Sequence, residues 1–272
     1  MQSVRARMDA PLETVVVFDC ETDRIFDRRK LRQSKTEDEE RLLQIADMEC
    51  TIAGALVLRV NDAILLRPPE EILERHAAEL TCWRDVCPAG ERPFESLLRA
   101  FDEATLIVGF NQLDFDMPLM RKYYRGLGSA QRYLQHRLKC VDILANMRCQ
   151  LDTWVSLANM LSMNRMASKS GSGVNAVTLW NQVQMGTATE AREARDELHE
   201  YCTNDVKLTA HLALLHEPRL TADGRVRASN ALFGIASALA AARRAADISL
   251  HVLECSRTDE CSGSQPTGRV RA

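Results

Sequence analysis

The spacing of apolar and polar residues along the chain predicts a sheet whose strands are largely buried. Residues 14–19 form a continuous, mostly β-branched apolar run, which is typical of a strand covered on both faces. A turn at Asn61-Asp62 separates two further apolar runs, which we expect to pair in an antiparallel manner. The predicted strands are residues 14–19, 50–59, 63–66, 105–110 and 139–142.

Apolar residues spaced three and four positions apart predict that much of the remaining chain is helical. The predicted helices are residues 70–80, 94–103, 118–125, 154–163, 174–184, 189–216 and 229–246. The charged stretch 23–47 is expected to form a loop with one helical stretch, and the stretch 82–93, rich in Pro and Gly, a second loop. Strands followed by alternating helices and strands predict an α/β fold, a mixed central sheet with helices on both faces.

The length of 272 residues allows one domain with a substantial core, together with additions at both ends. The domain is predicted at 14–217, after a loose N-terminal leader at 1–13. A C-terminal helical extension is predicted at 218–254, where the sequence is rich in alanine. The tail 255–272 is polar and contains Gly and Pro, so it is predicted to be disordered.

The nine cysteines show no spacing of the kind that a disulfide framework uses. Charged residues interrupt the N-terminal segment, so no signal peptide is predicted, and a reducing, cytoplasmic setting is expected. Cys82 and Cys87 have no second pair or nearby histidine, which argues against a zinc site. No segment approaches the roughly 20 apolar residues of a membrane span, so no membrane partner is expected.

Charge is distributed unevenly, although the formal net charge is only −3. Residues 117–189 contain nine basic side chains and two acidic ones, with acidic segments on either side. This pattern is compatible with a groove for a polyanion, and equally with an unevenly charged solvated surface. Tyr123, Tyr124 and Tyr133 interleave with the bases of 121–139. They either stack on a single strand or pack their helix against the sheet.

Four carboxylates in three separated segments are the strongest candidates for chemistry. Asp19 and Glu21 stand two residues apart on the first predicted strand, so both project from the same face. Tyr201 and Asp205 stand four residues apart on the long predicted helix and share one side of it. Asp116 follows the next buried strand through a short loop. If the two strands are neighbours and the helix packs across them, the four carboxylates converge.

Converging carboxylates repel one another, and hard divalent cations relieve this repulsion. Mg²⁺ or Mn²⁺ is the expected metal, because both prefer carboxylate and water oxygens. Two such ions about 3.5–4 Å apart serve in-line phosphoryl transfer. Tyr201 has an ordinary pKa of about 10, so it would orient the attacking water rather than act as a full base. The pattern therefore predicts a two-metal nuclease site.

Each segment also has a purely structural interpretation. Asp19 could end its strand in a turn, Asn111 could form an Asx turn, and Asp116 could cap the next helix. Tyr201 could be an ordinary half-buried helical aromatic. The coincidence of all four features, in this order and at this spacing, favours the nuclease interpretation.

Three segments carry a resemblance to a known family. VVVFDCET, GFNQLDFDMPLM and YCTNDVKLT resemble, in this order, the three exonuclease motifs of the DEDD superfamily of 3′–5′ exonucleases, which have a ribonuclease-H-like fold. In the third motif Tyr201 stands four residues before Asp205, as in the tyrosine branch (DEDDy). The histidine branch has a histidine five residues before that aspartate, where this chain has Glu200.

A closer resemblance covers most of residues 14–215. The segments LKCVDIL, WVSLANMLSMNRMASKSGSG and AVTLWNQ resemble the YprB-like ribonuclease-H-like domain, which occurs alone or near helicases. Lys169 and Ser170 match its Lys-Ser-Gly loop, and Trp180 matches a tryptophan before the last helix. The stretches 23–47 and 82–93 are larger than in that family.

The resemblance implies roles for individual residues. It implies that the four carboxylates are the metal ligands and that Tyr201 orients water. Thr22, Asn111 and Phe115 would contact the terminal nucleotide, and Lys169 a phosphate. Asp114 competes with Asp116 for the ligand role, but the Asn-x₃-Phe-Asp spacing favours Asp116.

The same resemblance implies hydrolysis of single-stranded nucleic acid from its 3′ end, with DNA slightly ahead of RNA, and release of nucleoside 5′-monophosphates. The expected partners are that strand and a helicase or another DNA- or RNA-processing protein. The alternative is a nucleic-acid-binding or scaffold module with a weak or vestigial nuclease site, serving a helicase or polymerase. The Ala-rich helix near the C-terminus motivates this alternative, because a face of small residues can dock a partner.

Overall fold

A mixed sheet of five strands organises the fold. The computed structural model describes residues 11–27, 29–30, 36–84, 93–151, 154–169, 171–224 and 234–245. The strands are β1 (Glu13–Thr22), β2 (Cys50–Val60), β3 (Leu80–Arg84), β4 (Leu106–Gly109) and β5 (Cys140–Asp142). Their order across the sheet is β3-β2-β1-β4-β5, so the first strand of the chain lies in the centre.

The central strand β1 pairs with β2 in an antiparallel manner and with β4 in a parallel manner. β3 extends the sheet antiparallel to β2, and β5 extends it parallel to β4. β1 does not end with its apolar run, because Cys20 still pairs with Ala53 and Glu21 with Ile52. Its carboxylates are therefore held by sheet hydrogen bonding and not by a flexible turn.

Both faces of β1 are covered, which explains its continuous apolar sequence. Val15 and Val17 point to one side, into a cluster that includes Val206. Val16 and Phe18 point to the other side, into a separate cluster. All four of these side chains on β1 are almost completely inaccessible to solvent.

Helices pack on both faces of the sheet. The helices are α1 (Glu37–Asp47), α2 (Asp62–Leu65), α3 (Pro69–Arg75), α4 (Glu95–Glu103), α5 (Asp116–Met120), α6 (Ser129–Leu138), α7 (Ile143–Leu151), α8 (Leu157–Met163), α9 (Gly173–Met185), α10 (Ala188–Leu214) and α11 (235–245). Helices α1, α4, α5 and α6 contribute to the cluster around Phe18. Helices α7, α8, α10 and α11 contribute to the cluster around Val17. The predicted α/β class, with a mixed sheet and helices on both faces, is confirmed.

The long helix α10 begins at a capping box. The Thr187 hydroxyl accepts a hydrogen bond from the Glu190 backbone N–H, and the Glu190 carboxylate accepts one from the Thr187 N–H at 2.8 Å. These contacts satisfy donors that a helix start leaves without partners. The helix then crosses β2 and β1, which brings its middle against the sheet.

A glycine in β2 allows this close approach. A Cβ atom at Gly54 would lie 3.0 Å from the Cys202 Sγ, 3.1 Å from a Val206 methyl carbon and 3.2 Å from the Cys82 Sγ. Gly54 pairs with Asp19 in the adjacent strand. The absence of a side chain at residue 54 thus sets the distance between α10 and the strand that carries the first carboxylate.

Two of the predicted elements near β2 are wrong. The predicted strand 63–66 is instead the short helix α2, because the Asn61 side chain accepts the Ile64 N–H at 3.0 Å and starts a helical turn. The predicted helix 70–80 ends at Arg75 and is followed by a 3₁₀ turn, Ala77–Glu79.

The chain then enters β3, part of which falls in the predicted loop 82–93. The edge of β2 decides this local structure, because its residues 52–56 pair with β3 over its whole length. Residues 85–92 of that predicted loop lie outside the described part of the chain.

The C-terminal helix α11 packs against the domain. Ile235 and Leu239 are buried in the cluster around Val17. Arg243 forms ion pairs with Glu13 at 2.8 Å and with Asp62 at 2.9 Å. The predicted tail 255–272 and most of the predicted leader lie outside the described residues.

Within the described residues, no helix combines the length and the apolar character that crossing a membrane requires.

We expect Gly54→Ala to lower the free energy of unfolding by about 1–3 kcal/mol, because overpacking a tight contact forces its neighbours to move. Urea denaturation followed by circular dichroism measures the change. Gly173→Ala is the matched control, because a Cβ there meets no atom within 4 Å. Equal stability losses in the two variants would show that the contact between β2 and α10 is not tight.

Candidate metal centre

Three carboxylates meet where α10 crosses the end of β1. One carboxylate oxygen from each of Asp19, Glu21 and Asp205 lies within 4.8 Å of the other two. Asp19 and Glu21 reach the same face because side chains two apart in a strand project to one side. Asp205 is completely buried, and Glu21 is 7% exposed. The expected convergence of the strand pair and the helix carboxylate is therefore present in the structure.

Asp116 lies next to this group but not within it. It is the first residue of α5 and is buried, and its Oδ1 accepts the Cys20 backbone N–H at 3.1 Å. Cys20 stands between Asp19 and Glu21, so this hydrogen bond ties the start of α5 to the strand that carries both. The structure thus brings all four predicted carboxylates to the end of β1, three of them as one tight group.

The rival candidate Asp114 is placed differently. Its side chain is 40% exposed and forms ion pairs with Arg148 at 3.5 Å and with Arg41 at 3.8 Å. Two guanidinium groups on the surface therefore satisfy its charge. Asp116 is the carboxylate of this loop that faces the other acids.

The crowded carboxylates shift one another's protonation. Burial, followed by the charge of Asp205, raises the pKa of Asp19 from 3.8 to about 7, and the Lys169 ammonium opposes this rise. Burial and then the charge of Asp19 raise the pKa of Glu21 and of Asp116 well above their ordinary range. Such shifts arise where acidic groups are packed without enough positive charge.

Lys169 supplies positive charge to the group. Its Nζ lies 2.5 Å from the Asp205 Oδ2, and the side chain is only 21% exposed. The ammonium lowers the pKa of Asp205, but burial has the larger effect and raises it. The loop before α9 passes close to Tyr201, because a Cβ at Gly171 would lie only 3.1 Å from the Tyr201 ring.

Tyr201 lies on the same side of α10 as Asp205, one turn earlier. Its ring centroid is 5.1 Å from the Lys169 Nζ. Its hydroxyl is buried without a hydrogen-bond partner of good geometry among the described residues. Burial and the nearby charge of Glu21 raise its pKa, so the hydroxyl keeps its proton and remains a donor.

Two residues that sequence reasoning did not emphasise shape the loop between β4 and α5. Asp142 accepts the backbone N–H groups of Asn111 at 3.0 Å, Leu113 at 2.8 Å and Ala145 at 3.1 Å. Gln112 donates to the carbonyl oxygen of Ile107 at 3.0 Å. Asp142 could have been recognised from the sequence as an acid at the start of a helix, but its role in the distant loop could not.

The predicted nucleotide contacts lie around the carboxylates with their own local partners. Asn111 has a left-handed backbone, with φ of 66°, in the loop that leads to Asp116. The Phe115 ring packs edge-on against Phe26 with centroids 5.6 Å apart. The Thr22 hydroxyl donates to the Arg24 carbonyl oxygen at 2.8 Å.

The donor set fits a hard divalent cation. All the converging side chains of the tight group offer carboxylate oxygens, which Mg²⁺ and Mn²⁺ prefer over nitrogen or sulfur. The Asp205 Oδ1 is buried and accepts no hydrogen bond from the described residues. A buried, unsatisfied carboxylate oxygen costs free energy that a bound cation recovers. Asp19, Glu21, Asp116 and Asp205 are the residues that would hold such ions.

The raised pKa of Asp19 predicts a specific pH dependence. A carboxyl group with a raised pKa in the folded state favours folding at low pH and loses that contribution as pH rises through its folded pKa. In the presence of a chelator, the free energy of unfolding should therefore fall between about pH 4 and pH 7. Urea denaturation across this pH range measures the slope, and Asp19→Asn should make it shallower.

Asp114→Asn is the matched control for this experiment, since it removes a nearby carboxylate outside the buried group. It should keep the slope of the unmodified protein. A slope that Asp19→Asn leaves unchanged would contradict the coupling of Asp19 to the cluster.

A solved structure to which the chain is similar is the family B DNA polymerase from the hyperthermophilic archaeon Pyrobaculum calidifontis, with 16% identity and a TM-score of 0.41. That match covers 75% of this chain and 24% of the polymerase. Comparison with curated proteins finds no match.

A family model described as the RNase_H superfamily matches residues 74–215, just over half of the chain. The matched segment contains Asp116, Lys169, Tyr201 and Asp205, whereas β1 precedes it. This match agrees with the predicted fold and with the mixed sheet described above. The chain belongs to the RNase H superfamily.

Proposed function

We propose that this chain is a metal-dependent 3′–5′ exonuclease that acts on single-stranded nucleic acid and releases nucleoside 5′-monophosphates. The observation that carries the proposal is the group of three carboxylates whose oxygens lie within 4.8 Å of one another. The buried Tyr201 hydroxyl lies beside this group, next to Asp205 and Lys169. Membership of the RNase H superfamily supports a nuclease, because the nucleases of this superfamily use divalent metals held by acidic residues.

The proposed ligands are Asp19, Glu21, Asp116 and Asp205. When bound there, two divalent cations, Mg²⁺ or Mn²⁺, supply the positive charge that activates water and stabilises the leaving oxygen in phosphodiester hydrolysis. The protein holds this acidic set in place before any ion binds, through the sheet pairing of β1 and the Cys20 hydrogen bond to Asp116. Prearranged ligands need little reorganisation when the substrate arrives.

Tyr201 is proposed to orient the attacking water. Its buried hydroxyl keeps its proton, so it donates a hydrogen bond and does not remove a proton from the water. The spacing of four residues to Asp205 places both on one side of α10, as the tyrosine branch of the DEDD superfamily requires. We also propose that the chain belongs to the tyrosine branch and is closest to the YprB-like ribonuclease-H-like domain.

Lys169 is proposed to contact a substrate phosphate while it stays close to Asp205. An ammonium group has three donors, and the ion pair with Asp205 engages one of them. We propose that a remaining donor meets a phosphate oxygen when the strand binds. The charge of the lysine would also weaken the repulsion between the acidic group and an approaching strand.

Three residues around the carboxylates are proposed to receive the 3′-terminal nucleotide. Asn111 and Phe115 belong to the loop that leads to Asp116, and Thr22 ends the strand that carries Asp19. These residues lie at the ends of β4 and β1. Open α/β sheets commonly bind ligands at the carboxyl ends of their strands. A helicase or another DNA- or RNA-processing protein is the proposed protein partner.

The alternative, a scaffold with a vestigial site, has less support. The alternative was based on the Ala-rich helix near the C-terminus, whose small residues could form a docking face. In α11 Ile235 and Leu239 are buried against the domain, so part of that helix surface serves the chain itself. The unpaired buried oxygen of Asp205 would be costly in a module that binds no metal.

The carboxylates should be required for hydrolysis. With Mn²⁺ and end-labelled single strands, the unmodified protein should shorten the strand from its 3′ end. Asp19→Ala, Asp116→Ala and Asp205→Ala should each lower the rate by at least about 100-fold, as loss of a group that stabilises transition-state charge does. Gel electrophoresis of matched DNA and RNA strands measures the rates and the sugar preference.

Asp114→Ala is the matched control, because it removes an acid from the same loop that is ion-paired at the surface. It should keep nearly the full rate. The proposed function fails if the unmodified protein does not hydrolyse either strand, or if Asp116→Ala and Asp114→Ala behave alike.

Tyr201→Phe should lower kcat by about 100-fold, within the range for groups that assist proton movement in the transition state. Because the tyrosine is proposed to bind water and not metal, the affinity for Mn²⁺ measured by isothermal titration calorimetry should be unchanged. A variant with normal kcat, or with lost metal binding, would contradict this role.

A further inference from the structure

A pocket away from the carboxylates lies on the opposite face of the sheet from α10. It is formed between α1, α5 and α6, and its volume is about 560 Å³. A pocket of this volume is large enough for a small organic ligand. Tyr124 and Tyr133 form its apolar wall, Arg121 and Arg137 lie at its edge, and Leu42 and Leu134 line its rim.

The two tyrosines form a rigid wall. Their rings meet edge to face with centroids 5.2 Å apart. The Tyr124 hydroxyl is hydrogen-bonded to His136 Nδ1 at 2.7 Å, and His136 Nε2 is hydrogen-bonded to Asp102 at 2.8 Å. Both rings are largely buried, so of the two interpretations that the sequence left open, packing within the domain accounts for most of their surface. The two tyrosine rings form part of the wall of the pocket.

Most of the basic side chains near this pocket already have partners within the fold. Arg132 pairs with Asp102 and Glu95, Lys139 donates to the carbonyl oxygens of Phe101 and Asp102, and Lys122 pairs with Glu49. These bases explain part of the positive charge in 121–139 as structural. They are not free to bind a ligand.

Arg121 and Arg137 differ from these bases. Their guanidinium groups lie 5.8 Å and 6.0 Å from the Tyr133 ring centroid, and both line the pocket. Arg137 also donates a long hydrogen bond of 3.5 Å to the Tyr133 hydroxyl. Neither has a carboxylate partner among the described residues, and the described lining of the pocket contains no acid. Two guanidinium groups in the lining of one pocket whose described residues include no acid favour a bound anion.

The rest of the pocket adds an apolar requirement. Leu42 is 51% exposed and Leu134 is 58% exposed, and both border the cavity. A ligand that satisfies both features carries an anionic group next to a flat, largely apolar one. A nucleotide combines a phosphate with a base in this way, and arginine recognises both chemistries.

The pocket is also close to the carboxylates along one short helix. Helix α5 begins with Asp116. Pro118 within this helix and Arg121, which directly follows its last residue, belong to the pocket. At 1.5 Å per residue, Arg121 lies roughly 8 Å along the helix axis from Asp116. This short axial separation brings the backbone of the two sites close together at one end of the sheet, which makes a strand that reaches both compatible with the fold.

We propose that this pocket binds an upstream nucleotide of the substrate strand, its phosphate between Arg121 and Arg137 and its base against the leucines. The inference rests on the proposed function, since it takes the same strand as ligand. It assigns two arginines to strand binding and excludes the partnered bases of 121–139. The pocket thereby sets how many nucleotides the protein holds behind the one it removes.

Binding can be tested separately from hydrolysis. The full chain with Asp19→Ala is titrated, without added divalent metal, against a fluorescein-labelled oligothymidylate and followed by fluorescence anisotropy. Adding Arg121→Gln and Arg137→Gln together should weaken binding by about tenfold or more and make the log–log salt slope less negative by about 0.7, the value for one lost phosphate contact on a single strand.

Two controls distinguish a pocket from general surface charge. Arg192→Gln with Arg195→Gln removes the same charge from exposed positions on α10, on the other face of the sheet, and should leave binding nearly unchanged. Ala130→Phe changes no charge but fills the pocket from the first turn of α6, so it should weaken binding as the arginine pair does. Ala130→Ser adds little bulk and should not.

The proposed nucleotide binding in the pocket is contradicted if the two double-arginine variants weaken binding equally. It is also contradicted if Ala130→Phe binds as tightly as Ala130→Ser. Circular dichroism melting shows that each variant is folded. Hydrolysis of bis(p-nitrophenyl) phosphate, which is too small to span both sites, reports on the carboxylates alone. If the unmodified protein does not hydrolyse this compound while the pocket variants still lose strand binding, the proposed function is rejected. The proposal that the pocket binds a nucleotide would then remain supported.

Discussion

The burial of like charges at the crossing of α10 and β1 is the constraint on which the site depends. Helix α10 approaches the sheet closely because Gly54 presents no side chain to Cys202 and Val206. That approach places the fully buried Asp205 against Asp19 and Glu21. Burial and then their mutual repulsion raise the pKa values of Asp19 and Glu21, and the ammonium of Lys169 offsets the rise only in part. The apolar packing on both faces of β1 must hold this arrangement together.

The surroundings of the acids are organised by backbone hydrogen bonds more than by other charges. Cys20 donates to Asp116, and Asp142 accepts three N–H groups from the loop and helix beside it. These contacts fix the direction of α5, which leads from the carboxylates to the pocket at Arg121. One short helix therefore links the proposed chemistry to the proposed strand contact, and a displacement of α5 would affect both.

Sequence reasoning succeeded where the pattern of neighbouring residues decides the local structure. The apolar run before Asp19 predicted a strand buried on both faces, and the spacing of Tyr201 and Asp205 predicted a shared helix side. It failed at 63–66 and 80–84. There a side-chain cap at Asn61 and the open edge of β2 decide the structure. It also could not separate Arg121 from Arg132, because both are bases in one stretch and only their partners differ.

The sequence by itself determined the α/β class and the distribution of the candidate carboxylates and Tyr201 over strand, loop and helix, because these follow from local periodicity and spacing. Only the tertiary structure decided that Asp116 stands beside the tight group of three and that Lys169 pairs with Asp205. It also decided that Arg121 and Arg137 share a pocket. Each of these depends on the distance between segments far apart in the chain, which the close packing of helices on a twisted sheet sets.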